Sequence, residues 1–427
     1  MADHPEGEVS SGTGAETYNG FQKVNIMAEA THRVQDPASL PATTEFSPGV
    51  LRMFLLLLAL GAAVVAGGLV LDPRRIWPNL LLAGFYVVGV GLAAGLLVTF
   101  SHISNAGWLT AIRRVPEAMA SNVYVGGLWM ILLLIGVHSL YEWSHADAVA
   151  ADELLQKKEF WLNVPFFSVR TVVYVALWSL CTYLLVRTSR QQDETGDVGL
   201  TLRNRSIAAV FTVVFTLTFW IASMDWIMSL EPHWYSTIFG VYNFSGTFTA
   251  GVAAVTVAVI VLRRRGYLKE FVRDDHLHDL GKLLFAFSTF WMYIWFSQYL
   301  LIWYANIPEE TIYFIKRESA GWGTFTILVL FFNWVIPFIV LMPRSAKRNE
   351  GVLLRVSMVV LVGHWIDLFW MILPTFMPGS PAFNIWEVGP IVLAGGVVCL
   401  ATVRSLTRAR LIPVKDPMLH ESLSYHS

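Results

Sequence analysis

Ten stretches of this chain are apolar for about 20 residues or more, the length needed to cross a hydrocarbon core roughly 30 Å thick. They fall near 49–71, 78–102, 117–140, 164–186, 206–229, 235–262, 281–305, 319–341, 352–374 and 385–404. In lipid each backbone N–H and C=O must find its partner within the protein, and runs this long and continuous exceed a barrel strand, so each is expected to be helical. The expected fold class is an all-α polytopic membrane protein. Composition agrees, because only 14% of residues are charged, against roughly 25% in a soluble domain. Thirty Lys and Arg against 31 Asp and Glu leave no excess basicity to point to a nucleic-acid partner.

The distribution of the cations predicts an orientation. Twenty-one of the 30 fall on the side that holds both termini and the connections after even-numbered spans, among them Lys23, Arg33, Arg113, Arg114 and Arg263-Arg264-Arg265. Six fall opposite, namely Arg74, Arg75, Lys157, Lys158, Lys316 and Arg317, and Arg52, Arg170 and Arg355 lie within spans. This bias places both termini in the cytoplasm. Residues 1–48 form a polar tail without the basic start and short apolar region of a signal peptide. Two readings stand for its segment Ala15–Val34: order against a partner, or disorder. Residues 405–427 read as a second cytoplasmic tail, and residues 49–404 as the transmembrane domain.

Cys181 and Cys399 both sit in apolar runs, with no CxxCH and no cysteine cluster, so no cysteine-ligated redox centre or metal is expected. His102, His138 and His364 do not form a depth-matched pair for a haem.

Ionisable side chains are costly in a bilayer and are functional candidates by default. At about 1.5 Å per residue, Arg170 and Asp225 fall in the outer half. His138 and Glu142, four apart, are expected on one helical face at an outer end, and Glu387 opens the last span from the same side. His364 and Asp367, three apart, lie just beyond mid-depth, with Gln298 at a comparable level. The pattern suggests a water-filled half-channel opening outward through which carboxylates and imidazoles pass protons. The competing structural readings are an interhelical His364–Asp367 pair fixing register, an Arg170–Asp225 ion pair, and interfacial roles for Glu142 and Glu387. The aromatic run Phe290-Trp291-Met292-Tyr293-Ile294-Trp295-Phe296, with Trp303 and Tyr304, suits the wall of a quinone-ring pocket or ordinary helix packing.

Four strings carry a resemblance to a known family. They are Ser223-Met224-Asp225-Trp226-Ile227-Met228-Ser229-Leu230-Glu231-Pro232-His233-Trp234-Tyr235-Ser236-Thr237; Ser104-Asn105-Ala106-Gly107-Trp108 leading to Arg113-Arg114-Val115-Pro116-Glu117; Phe296-Ser297-Gln298-Tyr299 continuing to Trp303-Tyr304-Ala305-Asn306-Ile307-Pro308-Glu309-Glu310; and Gly363-His364-Trp365-Ile366-Asp367. With them the chain resembles the NrfD/polysulfide-reductase-like (PsrC-like) membrane subunits of alternative complex III, a quinol:electron-acceptor (cytochrome c) oxidoreductase, and specifically the second such subunit.

The resemblance implies two four-helix bundles, here spans two to five and six to nine, flanked by the first and last helices. It implies a bacterial inner membrane, and as partners a paralogous NrfD-like subunit, an iron–sulfur subunit, cytochrome c subunits, small membrane subunits and lipids. Haem and iron–sulfur centres belong to those partners; quinone or menaquinone is the one cofactor this chain would meet. On this reading it is a non-catalytic subunit supporting quinol oxidation and conducting protons. The alternatives are a quinol site of its own, with His364 or His138 accepting protons, and an independent transporter.

Overall fold

The computed structural model describes residues 45–426. The N-terminal tail through residue 44, including Ala15–Val34, Lys23 and Arg33, lies outside the described residues. Among the described residues there is no strand. Nine helices among the described residues are long and apolar enough to cross a membrane: α1 Pro48–Leu71, α2 Pro73–Ser104, α3 Arg114–Leu140, α4 Val164–Thr195, α5 Gly199–Leu230, α6 Phe239–Arg264, α8 Trp322–Leu341, α9 Glu350–Thr375 and α10 Ile385–Leu406. The remaining expected span coincides with α7, Asp274–Ala305, a helix as long as α2. Its Trp, Tyr, Ser and Gln side chains make it less apolar than the other nine.

Local chemistry sets the helix ends. Pro48 and Pro73 occupy first-turn positions, where a missing N–H costs nothing, and Asp72 alone separates α1 from α2. The Asn163 side chain caps α4 by accepting from the Phe166 N–H, and Asn349 caps α9 in the same way. α2 and α7 both stop at an asparagine in the left-handed region, Asn105 at φ 53° and Asn306 at φ 49°. Within α8, Phe331–Val335 forms a π-turn just before Pro337, which has no N–H to continue the ladder.

α2 is the central element, with 94% of its apolar window buried, whereas α1 has 11% buried and turns Leu55, Leu56 and Leu60 outward. Small residues permit the close approaches, as expected where lipid provides no hydrophobic drive between helices. A Cβ on Gly126 would meet the Val88 backbone, and one on Gly91 the backbone of Val123. α2 packs on α3 and α5, α4 on α3 and α5; α6 packs on α7 and α9, and α8 on α7 and α9. α6 also lies along α2, and α1 and α10 form a pair whose α10 member rests on α2.

The C-terminal segment is not a free tail. Leu419–Ser424 forms a short helix whose Ser422 hydroxyl accepts from the Ala111 N–H and donates to the Trp108 carbonyl, while Tyr425 donates to Asp279 at 2.6 Å. Sequence reading had no periodic signal there, because the segment is only six residues long.

Candidate functional site

Two buried carboxylates, Asp225 on α5 and Asp367 on α9, have different surroundings. Asp225 accepts from Arg170 Nε at 2.8 Å and Arg170 Nη2 at 2.9 Å, from the Tyr174 hydroxyl at 2.8 Å and from Trp161 Nε1 at 3.1 Å. Arg170 also donates to the Trp161 carbonyl and stacks over the Trp161 ring at 4.2 Å. Neighbouring backbone is tied in as well, with the Tyr141 hydroxyl donating to the Trp226 carbonyl and Trp226 Nε1 to the Thr171 hydroxyl.

Asp367 accepts from the Tyr242 hydroxyl of α6 and from Trp291 Nε1 of α7 at 3.1 Å. His364, one helical turn back, has Nδ1 3.9 Å from Asp367 Oδ2, and that nitrogen is buried without a hydrogen-bond partner. The His364 ring lies 5.4 Å from the ring of Tyr86, whose hydroxyl donates to Leu361. Glycines permit the close packing here: a Cβ on Gly246 would stand 3.1 Å from His364 Nδ1 and 3.4 Å from Asp367 Oδ2. Gly363 admits the Asn333 amide carried by the π-turn, against which a Cβ would stand at 2.9 Å.

From Trp291 a polar stripe continues along the same face of α7, at offsets of four and seven residues. Trp295 Nε1 and Gln298 Nε2 on that stripe are buried donors without partners. Trp295 packs 6.4 Å from Trp370, whose ring in turn lies 6.0 Å from Tyr313, and the Tyr313 hydroxyl is likewise buried and unpartnered. Tyr313 belongs to the amphipathic connector Pro308–Glu318 between α7 and α8. Its ring stacks under the Arg317 guanidinium at 3.4 Å, and Arg317 reaches Glu231 at 2.7 Å. Arg317 also donates to the Trp370, Met371 and Tyr313 carbonyls. Burial would raise the Glu231 carboxyl, but Arg317 and then Lys316 outweigh it and hold it below the usual carboxylate range. Burial pushes the Tyr313 hydroxyl well above its ordinary value.

The other expected candidates lie apart. α3 ends at Leu140 and Tyr141 is extended, so His138 and Glu142 do not share a helical face. His138 instead meets the Ser144 hydroxyl at 3.0 Å, its ring lies tilted 5.4 Å from that of His145, and both His138 and Glu142 are exposed. Glu387 is buried: it takes Arg75 at 2.5 and 2.8 Å, Asn79 at 3.3 Å and the Asn384 N–H at 2.7 Å, closing a capping box at the start of α10.

Sequence reading missed Tyr242, Tyr313, Arg317 and Glu231 as site residues, and placed Trp291 only in the aromatic run, not as a donor to Asp367. Glu231 lay in a quoted string, and Arg317 was read only as a loop charge. It also missed a buried cluster at the other end of the bundle. There Glu117 pairs with Arg114 and with Arg113 at 3.4 Å, accepts from Ser189 at 2.6 Å, and Arg113 reaches Asp416 at 2.5 Å. Arg113 and Arg114, counted from sequence with the connection after the second span, are both buried.

No protein-family model matches the chain, and no curated protein matches it.

Proposed function

We propose that this chain is a membrane subunit of a respiratory quinol:cytochrome c oxidoreductase of the alternative complex III kind, and that it moves protons rather than electrons. In this reading all ten helices span a bacterial inner membrane with both termini cytoplasmic. α2–α5 and α6–α9 form two four-helix bundles with α1 and α10 on the flank. The ring of contacts within each set of four, and the resemblance carried by the four strings, support that arrangement. Quinol oxidation falls to a paralogous subunit, and haem and iron–sulfur centres to the other partners.

The observation that carries the reading is the buried His364–Asp367 pair with spare hydrogen-bonding capacity beside it. A proton on Asp367 passes through water between unpartnered donors and acceptors, by way of Gln298 and the Tyr313 hydroxyl, toward Glu231 at the end where Arg317 and Lys316 sit. Arg170 and Asp225 anchor the other half rather than relay. A quinol site walled by the 290–304 aromatics fits less well. Trp291 and Trp295 are packed inside, whereas Tyr293, Trp303 and Tyr304 are exposed, so these rings do not share one wall.

The test is Asp367→Asn in the intact assembly reconstituted in vesicles. Turnover-linked proton movement should fall by at least tenfold, about the effect of removing one positioned proton acceptor, while subunit composition is unchanged. Normal proton movement in a fully assembled variant refutes the relay.

A further inference from the structure

At the end of the bundle that carries the C-terminus, a cleft of about 910 Å³ opens between α3, α4 and α10. Its rim holds Arg187 and Arg190 from the last turns of α4, with Arg404 and Arg408 from the end of α10 and just beyond it. None of the four is ion-paired with a carboxylate among the described residues. Arg187 donates to the Tyr183 hydroxyl at 2.9 Å and Arg190 to the Ser405 hydroxyl at 3.2 Å. Two acids also line the cleft. Glu117 is already committed to Arg113 and Arg114, and Glu194 is exposed. The rim therefore keeps a surplus of positive charge.

Below the rim the walls turn apolar. Val397, Leu400 and Ala401 face Tyr124, Val125 and Val186. Leu58 of α1 adds to this wall. From Arg404 down to Val397 is roughly 10 Å along the helix, so cations sit at one level and aliphatic surface continues into the depth where acyl chains lie.

We propose that this cleft is a binding site for an anionic phospholipid. The phosphate is held among Arg187, Arg190, Arg404 and Arg408, and an acyl chain lies along Val397 and Leu400. Paired guanidinium forks suit phosphate oxygens, and basic pockets between transmembrane helices are where such headgroups settle. A soluble phosphate would use the rim alone. A lipid needs both levels, and the continuity of the two in one cleft favours the lipid.

The experiment uses the full-length chain, delipidated in detergent and offered phosphatidylglycerol, phosphatidylcholine or inorganic phosphate, with bound lipid read by native mass spectrometry. Phosphatidylglycerol should be retained and phosphatidylcholine should not. The triple variant Arg187→Gln/Arg404→Gln/Arg408→Gln alters exposed side chains only and should weaken retention on the order of 100-fold at unchanged melting temperature in phosphatidylcholine. Leu400→Trp, which fills the apolar level and leaves every arginine, should also lose the lipid. Equal retention by the variants, or displacement of the lipid by millimolar inorganic phosphate, overturns the proposal.

Discussion

Removing Arg170 should expose how much the first half of the membrane domain depends on one ion pair. Arg170→Met keeps most of the aliphatic bulk but leaves the Asp225 carboxylate, 1% exposed, with only Tyr174 and Trp161 as donors. Breaking a buried pair from one side costs about 3–5 kcal/mol. Loss of the guanidinium over the Trp161 ring adds roughly 0.5–2 kcal/mol. The two remaining donors cushion the stranded carboxylate, so the single variant should lose about 4 kcal/mol, near a thousandfold in the folding equilibrium. Arg170→Met/Asp225→Leu has no stranded charge and should lose less than the single variant, since apolar replacement of a whole buried pair is often nearly neutral. The assay is reversible unfolding in mixed micelles, followed by tryptophan fluorescence for the wild type, both single variants and the double. A loss below about 1 kcal/mol for Arg170→Met, or a double variant equal to the sum of the singles, would refute the reasoning.

Three further outcomes follow from particular contacts. Gly246→Ala places a methyl at 3.1 Å from His364 Nδ1, where water would have to pass, so it should slow proton movement several-fold with little change in melting temperature; an unaffected rate would show that no path runs there. Glu231 has a folded pKa below its unfolded value, so its contribution is fully present above the ordinary value of 4.5 and is lost as pH falls through the folded value. Stability measured from about pH 6 down to about pH 3 should therefore drop in that acid window, and Glu231→Gln should flatten the drop while lowering stability at neutral pH. Gly126→Val brings a side chain onto the Val88 backbone and should destabilise by more than about 3 kcal/mol, read as loss of monodisperse protein on size exclusion.

The helices were legible because bilayer thickness imposes a length on an apolar run, and residues between 48 and 406 obey it closely. α7 shows where that signal weakens, since Trp291, Trp295 and Gln298 lower its apolarity while serving contacts inside the protein. Arg170 with Asp225 and His364 with Asp367 were legible as charged residues at membrane depth. Their different environments were not, because the donors to Asp225 come from 51 to 64 residues away and those to Asp367 from up to 125. His138 and Glu142 misled because helical spacing was carried past Leu140, where the backbone turns extended. The surroundings of Glu387 were not legible either, since its partner Arg75 lies 312 residues earlier.

A count of lone pairs favours Asp367 over Asp225 as the carboxylate of the proposed relay. An ionised carboxylate offers about four acceptor positions. Asp225 has all of them occupied by donors, two from a single guanidinium, so a proton arriving there would have to displace one of these donors. Asp367 has two occupied, by Tyr242 and Trp291. The imidazole at 3.9 Å is too far for a direct bond, yet near enough to share a water with it. Around the second carboxylate the chain also leaves Gln298, Trp295 and Tyr313 with unspent donors, and each of these would be costly if dry. In the proposed relay, water among them connects Asp367 toward Tyr313 and the Arg317–Glu231 pair. On that proposal the segment Ser223–Thr237 has two duties: Asp225 pairs its start with Arg170 of α4, and Glu231, paired with Arg317, sets the charge where the proposed path ends.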